Sequence, residues 1–376
     1  MRAKTFCLTL FMLLVIFLLG LQPAAASKAD TIRIGMNSDL VTIDPTKIRD
    51  PSSLQVGGNL FNGLFKFKPG TGVVQKDLAT RWETAPDGMS MTFYLRKGIK
   101  FHKGFGEFTA DDVKFTIERH LNPKNKSRLR NYYRAVKRVE VVDPYTVRVH
   151  FTASTPGFVG SVLAYRSGWM LSRKAVTKYG KDYALNPIGT GPYVFESYQR
   201  GIKTVIVANK DYWEGPPRIK RAEFIPIPEA SVLYAALESG DIDLAHTRSA
   251  TVYNRTLKNP NLKVKVKPAM SVRGLYLNTT RKPFKDVRVR HAFAHAINRE
   301  HILKHVLGGT GKLAVSIFNP NHWGYTEDVR TYGYDPAKAK KLLAEAGYPK
   351  GFSTVFVYPR QSPYQEIAPA VAEFLR

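Results

Sequence analysis

The sequence predicts an α/β fold of more than one lobe, and three observations carry that expectation. Short alternating segments of strand type, such as Thr31–Met36, recur between segments with helical apolar spacing, such as Ala230–Ser239. The chain has 376 residues, enough for two or three domains. Apolar residues make up 44% and charged residues 23%, which supports packed cores and excludes extended disorder.

The first element is an export leader. Arg2 and Lys4 precede an apolar run from Phe6 to Leu21, followed by Pro23 and the small residues Ala24, Ala25, Ala26 and Ser27. A positive start, a short apolar stretch and a small-residue site make a secretory signal peptide, with cleavage expected after Ala26. The run is shorter than the roughly 20 residues that a bilayer span needs. The single cysteine, Cys7, lies inside the run and ahead of the site, so it is not placed as a lipoprotein attachment cysteine, and no disulfide framework or cysteine-based zinc site is available.

Next come the structural elements. Thr31–Met36 reads as a strand and Asp44-Pro45 and Asp50-Pro51 as loop punctuation, with helical spacing over Leu54–Phe65. Trp82–Gly104 reads as a hairpin turning at Pro86-Asp87-Gly88. Thr109 and Asp112 form a capping box that opens a helix ending before Pro123. A second hairpin spans Val139–Phe151. Strands follow at Tyr193–Phe195, Thr204–Ala208 and Ala222–Ile227, then a helix over Ala230–Ser239 closed by Gly240. Lys263–Lys267, Leu275–Asn278 and Thr354–Tyr358 read as further strands. Helices are expected over Asp286–Val306, Asp335–Ala346 and Gln365–Arg376, and the last of these has no stop signal at Arg376.

Charge raises nucleic acid as a partner class. Lys plus Arg number 57 against 30 Asp plus Glu, for a net charge of +27, and removing Arg2 and Lys4 with the leader leaves +25. The basic residues are scattered, however, and none of the basic stretches is interleaved with aromatics as a base-stacking surface is. Export also argues against nucleic acid, and a generally basic solvated surface is the favoured reading. Anionic lipid, cell-wall polymer or an anionic solute stay open as partners.

Sites of chemistry are few. No Gly-x-Ser-x-Gly elbow and no Gly-Lys-Ser/Thr phosphate loop occurs, so no catalytic residue is assigned. His291/His295 and His301/His305 are each spaced i, i+4 and invite a metal, but they flank an apolar stripe and are expected on a solvated face. No metal ligand and no cofactor is therefore assigned.

Several ordered motifs resemble the family 5 extracellular solute-binding proteins of ABC importers. The strongest runs from Asp77-Leu78-Ala79 through Trp82, Asp87-Gly88 and Thr92-Phe93 to Leu95-Arg96-Lys97-Gly98-Ile99-Lys100-Phe101-His102. Thr109-Ala110-Asp111-Asp112, Gly189-Thr190-Gly191-Pro192-Tyr193, Asn209-Lys210-Asp211-Tyr212-Trp213, Gly240-Asp241-Ile242-Asp243 and Val287–Phe293 follow in order, then Ala339–Tyr348. Lys103-Gly104 departs from the usual Asp-Gly. The resemblance implies a two-lobed periplasmic binding protein of class II type, with an extra subdomain in the first lobe. Its divisions would be 1–26 leader, 27–56 and 186–272 first-lobe core, 57–185 inserted subdomain and 273–376 second lobe, the last incomplete because family members continue beyond this length.

What the resemblance implies for function is peptide binding between the lobes and delivery to ABC permease subunits, without catalysis, by a periplasmic monomer that binds no nucleic acid. The family's dipeptide binders tend to have Arg-Pro-Tyr, where the arginine pairs with the ligand carboxylate. Here Ser362-Pro363-Tyr364 occupies that place, with Arg360 two residues earlier as a possible substitute. Ser362, Tyr364 and Arg360 are thus substrate-binding candidates, with Arg49, Asp50 and Gln55 from the loop after Asp44-Pro45. Nickel-chelate, opine or sugar binding remains open within the family, and a basic exported cell-wall or adhesion protein outside it.

Overall fold

A computed structural model describes residues 30–247, 249–266, 271–320, 322, 324–359 and 362–376. The leader expected over residues 1–26 and the candidate Arg360 lie outside the described residues.

Strand β1 (Thr31–Met36) starts the chain's main sheet, and helix α1 (Pro51–Leu60) follows a loop. Sequence spacing put this helix at 54–65. It begins earlier because Asp50 caps it, its Oδ1 accepting from Ser53 N at 2.7 Å, and Pro51 stands in the first turn, where a missing N–H costs nothing. It ends at Leu60, and Phe65 opens β2 (Phe65–Phe67), paired antiparallel with β3 (Val74–Lys76).

The two expected hairpins form one antiparallel sheet. β4 (Ala79–Thr84) pairs with β5 (Ser90–Leu95), and β6 (Val136–Asp143) pairs with β7 (Thr146–Phe151), in the order β4-β5-β7-β6. Alternation decides its faces: Met91, Phe93 and Leu95 of β5 and Val147, Val149 and Phe151 of β7 are buried, and their neighbours are not. Burying each such side chain contributes roughly 1.5–3 kcal/mol. The β4–β5 turn needs its glycine. Gly88 has φ +69, and a Cβ there would lie 2.5 Å from Ser154 Oγ. Helix α2 (Ala110–Leu121) packs Val113, Thr116, Ile117 and His120 inward, and Asp112 Oδ2 accepts from Thr109 N at 3.1 Å, as the capping box requires. Helix α3 (Arg173–Tyr179) packs beside α2.

The main sheet has the order β11-β1-β10-β9-β8, with β8 (Tyr193–Gln199), β9 (Lys203–Ala208), β10 (Arg221–Pro226) and β11 (Leu244–Ala245). β1 runs parallel to β10 and β11, while β8, β9 and β10 are antiparallel neighbours. Helices α4 (Ala230–Ser239) and α5 (Ala250–Leu257) flank β11 in the chain, and Gly240 ends α4 with φ +78.

The motif segments meet in a buried polar knot where the two sheets join. Asp77 accepts from Asn62 Nδ2 at 3.1 Å and from Gly63 N at 3.2 Å, and Lys66 Nζ lies 3.4 Å away. Thr190 Oγ1 donates to Asn62 Oδ1, and Gly191 O accepts from Asn209 Nδ2 and from the buried His102 ring. Gly191 N in turn donates to Leu60 O at 3.0 Å, and a Cβ on Gly189 would lie 2.0 Å from that oxygen, so glycine is what lets these backbones touch.

Beyond α5 the expectations fare less well. Val264, Val266, Tyr276, Val355 and Val357 are exposed, and no ladder reaches Lys263–Val266, Leu275–Asn278 or Thr354–Tyr358 among the described residues. The alternation is present, but a strand needs a neighbour for its backbone N–H and C=O groups. Lys267 lies outside the described residues. The single helix expected over 286–306 is broken. Helix α6 (Val287–Ala296) stops because Ile297 is extended and His295 O accepts from Asp335 N at 2.8 Å instead of from the next turn. Asn298 then caps a short turn, Arg299–His301, that continues as π-helical Ile302–Val306. Helices α7 (Pro336–Glu345) and α8 (Tyr364–Leu375) complete the described elements, α7 lying against α6.

The break corrects the view of the histidines. His295 is 7% exposed; its Nδ1 donates to Gly333 O at 2.8 Å and its ring meets Tyr332 edge-on. His291 Nε2 pairs with Tyr332 O–H at 3.0 Å. Instead of facing solvent, both residues hold the segment before α7 against α6.

Candidate functional site

The loop between β1 and α1 carries Arg49 and Asp50, with Gln55 following on α1, and it is pinned at both ends. Ser53 Oγ accepts from Val41 N and Thr42 N, and Ser52 Oγ donates to Ser38 O. Asp39 accepts from Tyr198 O–H and Gly201 N, tying the loop to the β8–β9 turn. Asp44 is 2% exposed and takes a two-pronged ion pair from Arg119 of α2, at 2.8 and 2.9 Å, with Thr46 Oγ1 also donating at 2.8 Å. Burial alone would raise the Asp44 carboxyl, but the Arg119 and Thr46 contacts outweigh it and hold the carboxyl below its usual range.

On that frame Arg49 is exposed and Asp50 is spent largely on the helix cap, while its Oδ2 is buried without a hydrogen-bond partner among the described residues. Gln55 sits half-buried on α1 and its Nε2 lies 2.9 Å from His246 Nδ1, just past β11. The candidate amide therefore links α1 to the strand exit 191 residues away.

The other candidates lie at the start of α8. Tyr364 is its first residue, Ser362 and Pro363 precede it, and Arg360 is outside the described residues. The guanidinium of Arg273 lies 5.7 Å from the Tyr364 ring centroid, a cation–π distance. Arg273 is exposed, and no carboxylate is within 4.0 Å of it among the described residues. The structure thus sorts the candidates into two groups, one on the loop and α1, the other around Tyr364.

His246 and Arg273 were not found from sequence. Their partners are distant in the chain, and neither belongs to a motif that carries chemistry. No group of three His, Cys, Asp or Glu residues that could hold a metal ion occurs among the described residues. Nor is any helix among them long and apolar enough to cross a membrane. The arrangement offers cations and hydrogen-bonding groups for an anionic or amide-bearing solute.

Comparison with known proteins agrees. Residues 73–376 match the model described as bacterial extracellular solute-binding proteins, family 5 Middle. The glutathione-binding protein GsiB of Salmonella choleraesuis (strain SC-B67) is 33% identical over 333 residues, covering 88% of this chain and 64% of that protein. A dipeptide-binding protein of Escherichia coli (strain K12) is 35% identical over 364 residues, covering 91% and 67%. The solved structure of the ABC transporter-associated periplasmic binding protein DppA from Helicobacter pylori, in complex with the peptide STSA, superposes with a TM-score of 0.82 at 30% identity, covering 92% of this chain and 71% of that one. The chain thus spans under two thirds of the length of GsiB. The fold is that of the two-lobed periplasmic binding proteins, and the relatives are binding components of transport systems, not enzymes. On its motifs, its family match and its structural likeness, this chain belongs to the bacterial extracellular solute-binding proteins of family 5.

Proposed function

We propose that this protein binds peptides of the di- or oligopeptide class between two lobes and delivers them to ABC permease subunits, acting as a periplasmic monomer once residues 1–26 are removed. The first lobe would comprise residues 27–56 and 186–272 with 57–185 inserted, and the second 273–376. The observation that carries the peptide reading is the Arg273 guanidinium over Tyr364, without a carboxylate of its own. Its partner Tyr364 is two residues after Ser362, the position where the family's dipeptide binders tend to place an arginine for the ligand carboxylate. A planar guanidinium on an aromatic face is well suited to a terminal carboxylate. Arg49 and Gln55 would meet the ligand from the first lobe.

Calorimetry with a panel of dipeptides and oligopeptides tests the reading, and at least one should bind saturably. A charge-assisted bond contributes about 1.5–3 kcal/mol, so R273Q should weaken that peptide by roughly 10- to 150-fold and abolish its preference over the C-terminal amide. If only sugars, opines or nickel chelates bind, the peptide assignment is wrong. If R273Q binds like wild type, Arg273 is not the anchor.

A further inference from the structure

We infer that a basic strip on the segment before β6 is a docking surface for an anionic phospholipid membrane. From Arg119 to Val139 the chain contains no acidic residue. Within that stretch Lys124, Lys126, Arg128, Arg130, Arg134 and Lys137 are all exposed, and none has a carboxylate within 4.0 Å among the described residues. Arg138 is different, being paired to Glu140 at 3.0 Å.

The strip is held in place and does not behave as a tail. Leu129 and Tyr133 are buried beneath it, Tyr133 stacking on His120 at 4.9 Å and donating to Ser167 O at 2.5 Å. Asn122 Oδ1 accepts from Lys124 N, and Lys126 has a left-handed φ of +50. A fixed array of cations loses little conformational freedom when it meets a charged surface. Only Lys137 lies on an edge strand, where a lysine also deters strand pairing. The other five precede β6, and edge protection does not account for them.

Beside the strip is an open groove of about 780 Å³, in which Asn131, Tyr132, Arg134, Thr152, Ser154 and Thr155 share the lining with apolar Ala135, Ala153 and Val162. Hydroxyls and a guanidinium suit a phosphate headgroup, and Tyr132, 44% exposed, has the amphipathic ring that favours the membrane–water boundary. The strip has no row of aromatics on which bases would stack. Arg128 N donates to Thr46 O at 2.9 Å, so a membrane held here would lie alongside the loop that carries Arg49 and Asp50.

The test is sedimentation of the chain without its leader, residues 27–376, with vesicles of phosphatidylcholine alone or mixed 7:3 with phosphatidylglycerol, at about 50 mM and 300 mM salt. Two variants are compared with wild type, both checked for folding by circular dichroism. One carries K124Q, K126Q, R128Q and R130Q; the other, with the same net charge, carries K338Q, K340Q, K341Q and K350Q. Wild type and the second variant should bind the anionic vesicles at low salt and release them at high salt. The first variant should lose roughly 100- to 1000-fold in partitioning, as expected for four cations near an anionic leaflet. Equal losses in both variants would assign the effect to overall charge and overturn the strip. Binding to soluble polyphosphate with no preference for anionic vesicles would overturn the membrane.

Discussion

Arg119 on α2 reaches across to Asp44 in the β1–α1 loop, Nη1 to Oδ1 at 2.8 Å and Nη2 to Oδ2 at 2.9 Å, in a pair that is nearly withdrawn from solvent. The contact ties α2 to the loop that carries Arg49 and Asp50. Breaking one partner of such a pair leaves a buried charge uncompensated, at a cost of about 3–5 kcal/mol. R119M should therefore lower stability by that amount in urea unfolding. The double variant D44N/R119M should recover part of the loss. No recovery would mean that Arg119 acts through packing on Tyr183, 5.6 Å from its guanidinium, and not through charge.

Acid should act through two buried histidines. Burial pushes His102 and His120 down to about 4, so both are neutral in the folded protein at pH 7. Their unfolded value is near 6.5. Between pH 6.5 and 4 the unfolded chain binds the extra protons, so stability is highest above 6.5 and falls as pH drops through that window, by roughly 3 kcal/mol for each histidine. Thermal midpoints measured across it should fall steeply, and H120Q should flatten the slope. An unchanged slope in H120Q would place the titrating group elsewhere.

The glycines at the knot should tolerate no side chain. A Cβ on Gly189 would lie 2.0 Å from Leu60 O, with Leu60 itself buried, so the backbone has to move. G189A should cost at least about 2 kcal/mol, within the range for overpacking. G98A provides a contrast in kind, since nothing lies within 4 Å there and only its φ of +75 opposes the change. Its cost should be smaller, about 1 kcal/mol. Chemical denaturation of the two variants reads the difference, and equal costs would show that the knot yields.

His295 and His291 should separate on mutation. H295A leaves the Gly333 carbonyl without its donor inside a packed contact and should cost about 1–3 kcal/mol. H291A loses a more open partner in Tyr332 and should cost less than about 1 kcal/mol. Urea unfolding of both variants checks the order. The reverse order would return His295 to a solvated face.

Local chemistry was legible without coordinates. The Asp87-Gly88 turn, the Thr109–Asp112 capping box, the α4 stop at Gly240 and the alternation in β5 and β7 each depend on residues within a few positions of one another, and all appear where the spacing put them. The family motifs were readable for the same reason, since they are short runs. Tertiary structure decided the rest, because partners far apart in the chain supplied it. Asp335 N takes the carbonyl of His295 and ends α6, which no periodicity announces. Alternation at Leu275–Asn278 and Thr354–Tyr358 made no strands, because no ladder for them to join occurs among the described residues. Asp44 found Arg119 75 residues on, Gln55 found His246 191 residues on, and Arg273 found Tyr364, far along the chain past α6 and α7. A side chain's type states which contacts it can make; only the packed backbone brings one such partner within about 3 Å and leaves another in water.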